Sequence, residues 1–165
     1  MPTANPRVTI IFLRRTYLAC PYFVPREILN DGSWLHPARL PLGAGWSGRC
    51  CASAQETTPN DSALREFCNL GNASSCPHLP SERDWDAVRF SVARTSPEQI
   101  ILWYVCELAH APIEHGKLIF DRLAESWLTP HADQRVQRLA ACYLEAYRAR
   151  PNVTVAAGEG LGITA

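Results

Sequence analysis

Apolar positions in the second half of the chain recur at spacings that suit helices. Ile100, Ile101, Trp103, Tyr104, Val105 and Leu108 surround most of one helical girth. They follow Ser96-Pro97-Glu98-Gln99, which reads as an N-cap serine, a proline at the first helical position and a glutamine at the capping-box position. This helix should end near Pro112. A second, over 116–127, presents Leu118, Ile119, Leu123 and Trp127. A third, over 132–148, sets Val136, Leu139, Ala140, Tyr143, Leu144 and Tyr147 on one face, opposite arginines and glutamates.

The first half follows other rules. Arg7–Leu13 is β-branched and aromatic, and predicts a strand or an N-terminal extension. In 86–94, Val88, Phe90 and Val92 alternate with Arg89, Ser91 and Ala93, the period of a half-buried strand. Between them the chain is rich in proline and glycine. Its one expected helix starts at Asn60-Asp61, carries Leu64 and Phe67, and ends before Gly71 with Cys68 in its last turn. The expected fold is therefore α+β: a loop-rich, cysteine-stapled N-terminal half with a short strand pair, packed on a three-helix C-terminal half. The expected divisions are an extension over 1–19, a cysteine-rich region over 20–94, a helical region over 95–150 and a flexible tail over 151–165.

Composition narrows the function classes. A formal net charge of zero offers no general electrostatic case for nucleic acid or an acidic membrane surface. No apolar run is long enough to span a bilayer. Leu18-Ala19-Cys20 resembles a lipoprotein cleavage site only faintly, because Arg14 and Arg15 break the apolar run before it. A cytoplasmic protein with reduced thiols is expected. Oligomeric state leaves no mark on the sequence.

Cysteine changes the picture most. Five of the seven lie in the segment least able to build a regular core: Cys20, Cys50, Cys51, Cys68 and Cys76. Thiolates converging on a metal or cluster would order such a segment, because ligand bonds replace missing core contacts. No Cys-x-x-Cys knuckle is present, which disfavours a structural zinc site. Dispersed single cysteines suit a larger iron–sulfur cluster. Two of them precede proline, Cys20-Pro21 and Cys76-Pro77, as in the last step of a bacterial ferredoxin motif. Gly43, Gly45 and Gly48 lead into Cys50, and Gly71 follows Cys68, as close approach of backbone to a cluster would need. Zinc, disulfides and simple burial of small apolar thiols stay open beside the cluster.

Cys20-Pro21-Tyr22-Phe23-x-Pro25, Leu40-Pro41-Leu42-Gly43, Gly48-x-Cys50 and Cys68-Asn69-x-Gly71 with Cys76 together resemble a four-cysteine pattern found in uncharacterised bacterial proteins. The likeness covers about residues 20–93 and ends with Asp86-Ala87-Val88-Arg89-Phe90. It implies the ligand set Cys20, Cys50, Cys68 and Cys76, with Cys51 a neighbour that could replace Cys50, and implies no activity. The expected function is binding of a [4Fe–4S] cluster with a redox, sensing or structural role. The alternative is a zinc-stabilised interaction module. A protein redox or interaction partner is compatible with either.

Other candidates are weaker. Glu107 and His110 stand at the spacing of a di-iron helix motif, but such sites need two copies. His110 and His115 flank Pro112 and read as a surface turn. His78 is a loop histidine near Cys76. Cys106 and Cys142 read as core thiols, and Trp34, Trp46 and Trp85 as shielding or local core. No phosphate loop, dinucleotide fingerprint or metalloprotease motif is present.

Overall fold

Among the described residues, strands outnumber helices. The computed structural model describes residues 18–151, so the strand expected at Arg7–Leu13 and the tail beyond Pro151 lie outside the described residues. Strands β1 (Phe23–Ile28) and β2 (Trp46–Cys50) form an antiparallel pair. Strands β3 (Ala87–Thr95), β4 (Gln99–Leu108), β5 (Ala111–Asp121) and β6 (Ser126–Thr129) form a four-stranded antiparallel meander in that order. A short helix α1 (Asp61–Ala63) runs on as a π-helical turn over Leu64–Asn69. The long helix α2 (Gln134–Arg148) closes the fold.

The expected three-helix C-terminal half is thus overturned. Two of its three helices are β4 and β5–β6, and only 134–148 is helical. Ser96 does cap, but it caps a hairpin turn. Its hydroxyl accepts the Gln99 amide at 3.0 Å, and its own amide donates to the Gln99 carbonyl at 2.8 Å. The apolar run of β4 carries Ile, Trp, Tyr and Val, which favour a pleated surface. Ile100, Leu102, Tyr104 and Cys106 face inward, and Ile101, Trp103 and Val105 face away. Trp103 is 41% exposed, with the Lys117 ammonium 4.8 Å from its ring centroid, whereas a helix would have buried it.

The turn between β4 and β5 carries no glycine. Ala109 and His110 both take positive φ, 50° and 66°, the backbone of a two-residue hairpin turn. Asp86, 2% exposed, holds it by accepting the Ala109 amide at 2.9 Å. Pro112 sits beside the bulge at Cys106/Glu107, where β6 does not cover β5 and a missing amide costs little.

Helix α2 begins at Asp133, whose carboxylate accepts the amides of Arg135 and Val136. Ala140 and Leu144 pack on Ile100, Leu102, Leu118 and Phe120 of the large sheet. Val136, Leu139, Cys142 and Ala146 share a second cluster with Cys20, Phe23, Leu42, Trp46 and Cys68. The helix therefore serves both sheets, and the cysteine-rich region shares its core with the C-terminal half.

Candidate metal centre

The four expected ligands arrive from separate segments: two proline turns, a strand end and a π-helical turn. Cys20 follows Ala19, whose backbone exchanges hydrogen bonds with Val88 on the edge of β3. Pro21 then opens a tight turn, closed by the Phe23 amide on the Cys20 carbonyl at 3.1 Å. Cys76-Pro77 does the same, with the Leu79 amide on the Cys76 carbonyl at 3.2 Å. Both Cys-Pro steps are thus turn openers. Cys50 ends β2, paired with Phe23 of β1 on one side and bridged to Thr57 on the other. Cys68 lies in the π-helical turn, a local underwinding that recurs at functional sites.

Two of these thiols, Cys20 and Cys68, are buried and feel charge on the others. Burial pushes the Cys20 thiol well above its ordinary range, the Tyr22 amide opposes this by facing the sulfur, and charge on Cys68, Cys76 or Cys50 raises it further. Cys68 is pushed up to about 12 by burial, then by Cys50 and Cys76. Cys50, Cys68 and Cys76 line one cavity of about 400 Å³, together with Thr57, Phe67 and the exposed His78. All seven cysteines are free, so no disulfide orders the loops.

Cys51 is engaged elsewhere. Its thiol donates to the Tyr22 carbonyl at 3.2 Å, and its amide donates to the same oxygen at 2.9 Å. Burial, then Cys50, raises its thiol, and Arg135 opposes that shift. Cys142 is a buried thiol on α2, pushed up to about 11 chiefly by burial.

The glycines before Cys50 turn out to make room for side chains. A Cβ on Gly45 would lie 2.0 Å from the indole nitrogen of Trp34. Trp46 is core, 1% exposed. Gly71, with φ of 90°, ends the π-helical turn in a backbone that L-residues avoid. Glu107 is buried and ion-paired with Arg89, while His110 sits exposed on the β4–β5 turn. No helix carries them.

A second polar cluster was not anticipated from the sequence. Cys106, Glu114 and His131 present ligand atoms that all lie within 4.8 Å of one another. His131 Nε2 and the Tyr104 hydroxyl both reach Glu114 Oε1 at 3.0 Å. The Asp133 amide donates to His131 Nδ1 at 2.9 Å, which places the imidazole proton on Nε2, toward Glu114. A cation on Nε2 would move that proton onto a nitrogen already facing an N–H. Burial, then Glu114 and Asp133, push the Cys106 thiol up to about 12, the opposite of an activated nucleophile. Glu114, His131, Tyr104 and the Asp133 amide form a hydrogen-bond network, with the Cys106 thiol buried beside it. Cys106 and Glu114 meet only through the register of β4 on β5, so no sequence spacing announces it.

Among the described residues no helix is long and apolar enough to cross a membrane. No protein-family model matches the chain, and comparison with curated proteins and with solved structures finds no significant similarity.

Proposed function

We propose that the chain binds an iron–sulfur cluster, [4Fe–4S], through the thiolates of Cys20, Cys50, Cys68 and Cys76. One observation carries the reading: four free thiols come from four separate segments, Cys50, Cys68 and Cys76 share a cavity, and the buried Cys20 and Cys68 thiols both feel charge on the others. Four cysteine thiolates are the usual donor set of such a cluster. The spread of the thiols favours a cluster over a single ion. A tetrahedral zinc with bonds of about 2.3 Å needs its sulfurs about 3.8 Å apart. Among the described residues no three of these four come within 4.8 Å of one another, and the one trio that does is Cys106, Glu114 and His131. A polynuclear cluster accepts wider ligand spacing.

When bound, the cluster would supply one-electron chemistry or an oxidant-sensitive structural link. This chain's part is to hold four thiolates in a partly buried wall, with the Tyr22 amide turned toward one of them. Cys50 and Cys76 are only half-buried, so the centre lies near the surface, where a protein partner could exchange electrons or read its state.

Anaerobic purification followed by iron, zinc and acid-labile sulfide analysis tests the reading. Brown protein with iron and sulfide, lost in Cys50→Ser and retained in Cys51→Ser, is the expected result. Colourless protein with stoichiometric zinc would replace the cluster with a zinc-stabilised module.

A further inference from the structure

A second cavity, about 890 Å³, is lined by Arg65 of the π-helical turn and does not include Cys68. Its walls come from the 33–40 segment, Arg65, the loop over 70–75 and the β4–β5 turn. The volume falls within the range of small-molecule sites. Its chemistry is one-sided. Arg39, Arg65, His36 and His110 all line it, and no carboxylate does. Among the described residues neither arginine has an ion-pair partner. The neighbouring carboxylate, Asp31, accepts the Ser33 amide at 3.0 Å and feels the Arg65 charge without forming an ion pair with it.

The apolar features are equally directed. The Trp34 ring carries the Arg65 guanidinium over its face at 4.7 Å, which fixes the plane of that fork. Gly45 provides the space in which the indole sits. Leu35 is 92% exposed and Leu70 46% exposed on the cavity walls. Isolated exposed leucines need no explanation, but two beside an aromatic ring and two guanidinium groups with no ion-pair partner among the described residues make a surface of mixed character.

We infer that this cavity binds a small organic anion, a phosphate or carboxylate head on an aromatic or aliphatic body. Arg39 and Arg65 take the head through charge-assisted hydrogen bonds, and Trp34, Leu35 and Leu70 take the body. The site stands on its own residues and needs no metal at the cysteines.

The test is calorimetric titration of the full chain with 1-naphthyl phosphate, 1-naphthoate, the neutral 1-naphthalenemethanol and inorganic phosphate. Saturable one-to-one binding of the naphthyl anions is expected, weaker by about tenfold or more for the neutral alcohol, the size of one lost charge-assisted hydrogen bond. Arg39→Gln and Arg65→Gln should each weaken the anions by a similar factor. Leu35→Ala should weaken the naphthyl anions and leave inorganic phosphate unchanged. Which naphthyl anion binds tighter identifies the head group. Among the described residues Arg39 makes no ion pair, so Arg39→Gln keeps the test sound if Arg65→Gln unfolds. No saturable binding at millimolar concentration, or equal binding by wild type and Arg39→Gln, overturns the inference.

Discussion

The side chain of Asn69 pairs with the backbone of Trp46 as a neighbouring strand would. Asn69 Oδ1 accepts the Trp46 amide at 2.9 Å, and Nδ2 donates to the Trp46 carbonyl at 3.0 Å. The same Nδ2 donates to the Leu64 carbonyl at 3.0 Å, inside the π-helical turn. One buried carboxamide thereby fastens the helix bearing Cys68 to the strand bearing Cys50.

Asn69→Ala should cost about 2–4 kcal/mol, since it strands buried backbone groups as well as losing three hydrogen bonds. Urea unfolding measures this. It should also lower the iron content of protein purified anaerobically, because Cys68 would no longer be held against β2. A loss of only a few tenths of a kcal/mol would mean that water satisfies Trp46 in place of Asn69.

Helix α2 supplies the next expectation. Leu139 is fully buried between the two sheets, so Leu139→Ala should cost about 2–5 kcal/mol. Trp103→Ala, on the open sheet face, should cost far less, with loss mainly of its contact to Lys117. Denaturant midpoints of the two variants would separate these faces. Comparable losses would show that something covers Trp103.

Helix and strand were confused where the sequence is apolar on every side. The run Ile100–Leu108 fills a helical girth and a strand equally well, and Ser96-Pro97 opens a turn as readily as a helix. The deciding features are remote. Asp86 holds a hairpin turn at Ala109-His110 that lacks the usual Asn-Gly signature, and β4 finds partners on both edges. Where patterns were one-sided they were legible: β3 alternates, and α2 has both a capping aspartate and a clear apolar face. Of the cysteines expected in loops, Cys20 and Cys76 open the turns that their prolines mark, whereas Cys50 ends β2 and Cys68 lies in the π-helical turn. The polar trio around Glu114 was not legible, since it exists only through strand register.

Asp133 predicts an acid-dependent loss of stability. Its carboxyl is held below the usual carboxylate value of 3.8 chiefly by the Arg135 side chain, with the Arg135 and Val136 amides adding to this and burial opposing it. A carboxyl with a depressed native pKa contributes stability that is present above pH 3.8 and lost as pH falls through the native value. Wild type should therefore exceed Asp133→Ala by about 1 kcal/mol at pH 6, the usual worth of a cap, and the gap should shrink below pH 4. Urea midpoints taken from pH 2 to pH 6 give the comparison. A gap independent of pH would assign the cap to hydrogen bonding without charge.

The shared core decides how the fold should respond to loss of a thiolate. Were the cysteine-rich region a separate unit, Cys68→Ser would unfold everything from Pro21 to Pro80. Instead Phe23, Leu42 and Trp46 pack on Val136 and Leu139, so β1 and β2 have contacts that no metal supplies. The segment from Ala52 to Trp85 has little beyond α1, its π-helical turn and short turns. Limited proteolysis of Cys68→Ser should therefore cut within 52–85 and spare β1, β2 and the region from Ala87 to Arg148. Cys51→Ser, whose thiol lies on the Tyr22 carbonyl, should resist cleavage like wild type. Cleavage that also reaches β1 and β2 would show that the thiolates order the small sheet as well as the loop. Uniform resistance of Cys68→Ser would show that the loop is ordered without them, leaving the cluster a redox role and no structural one.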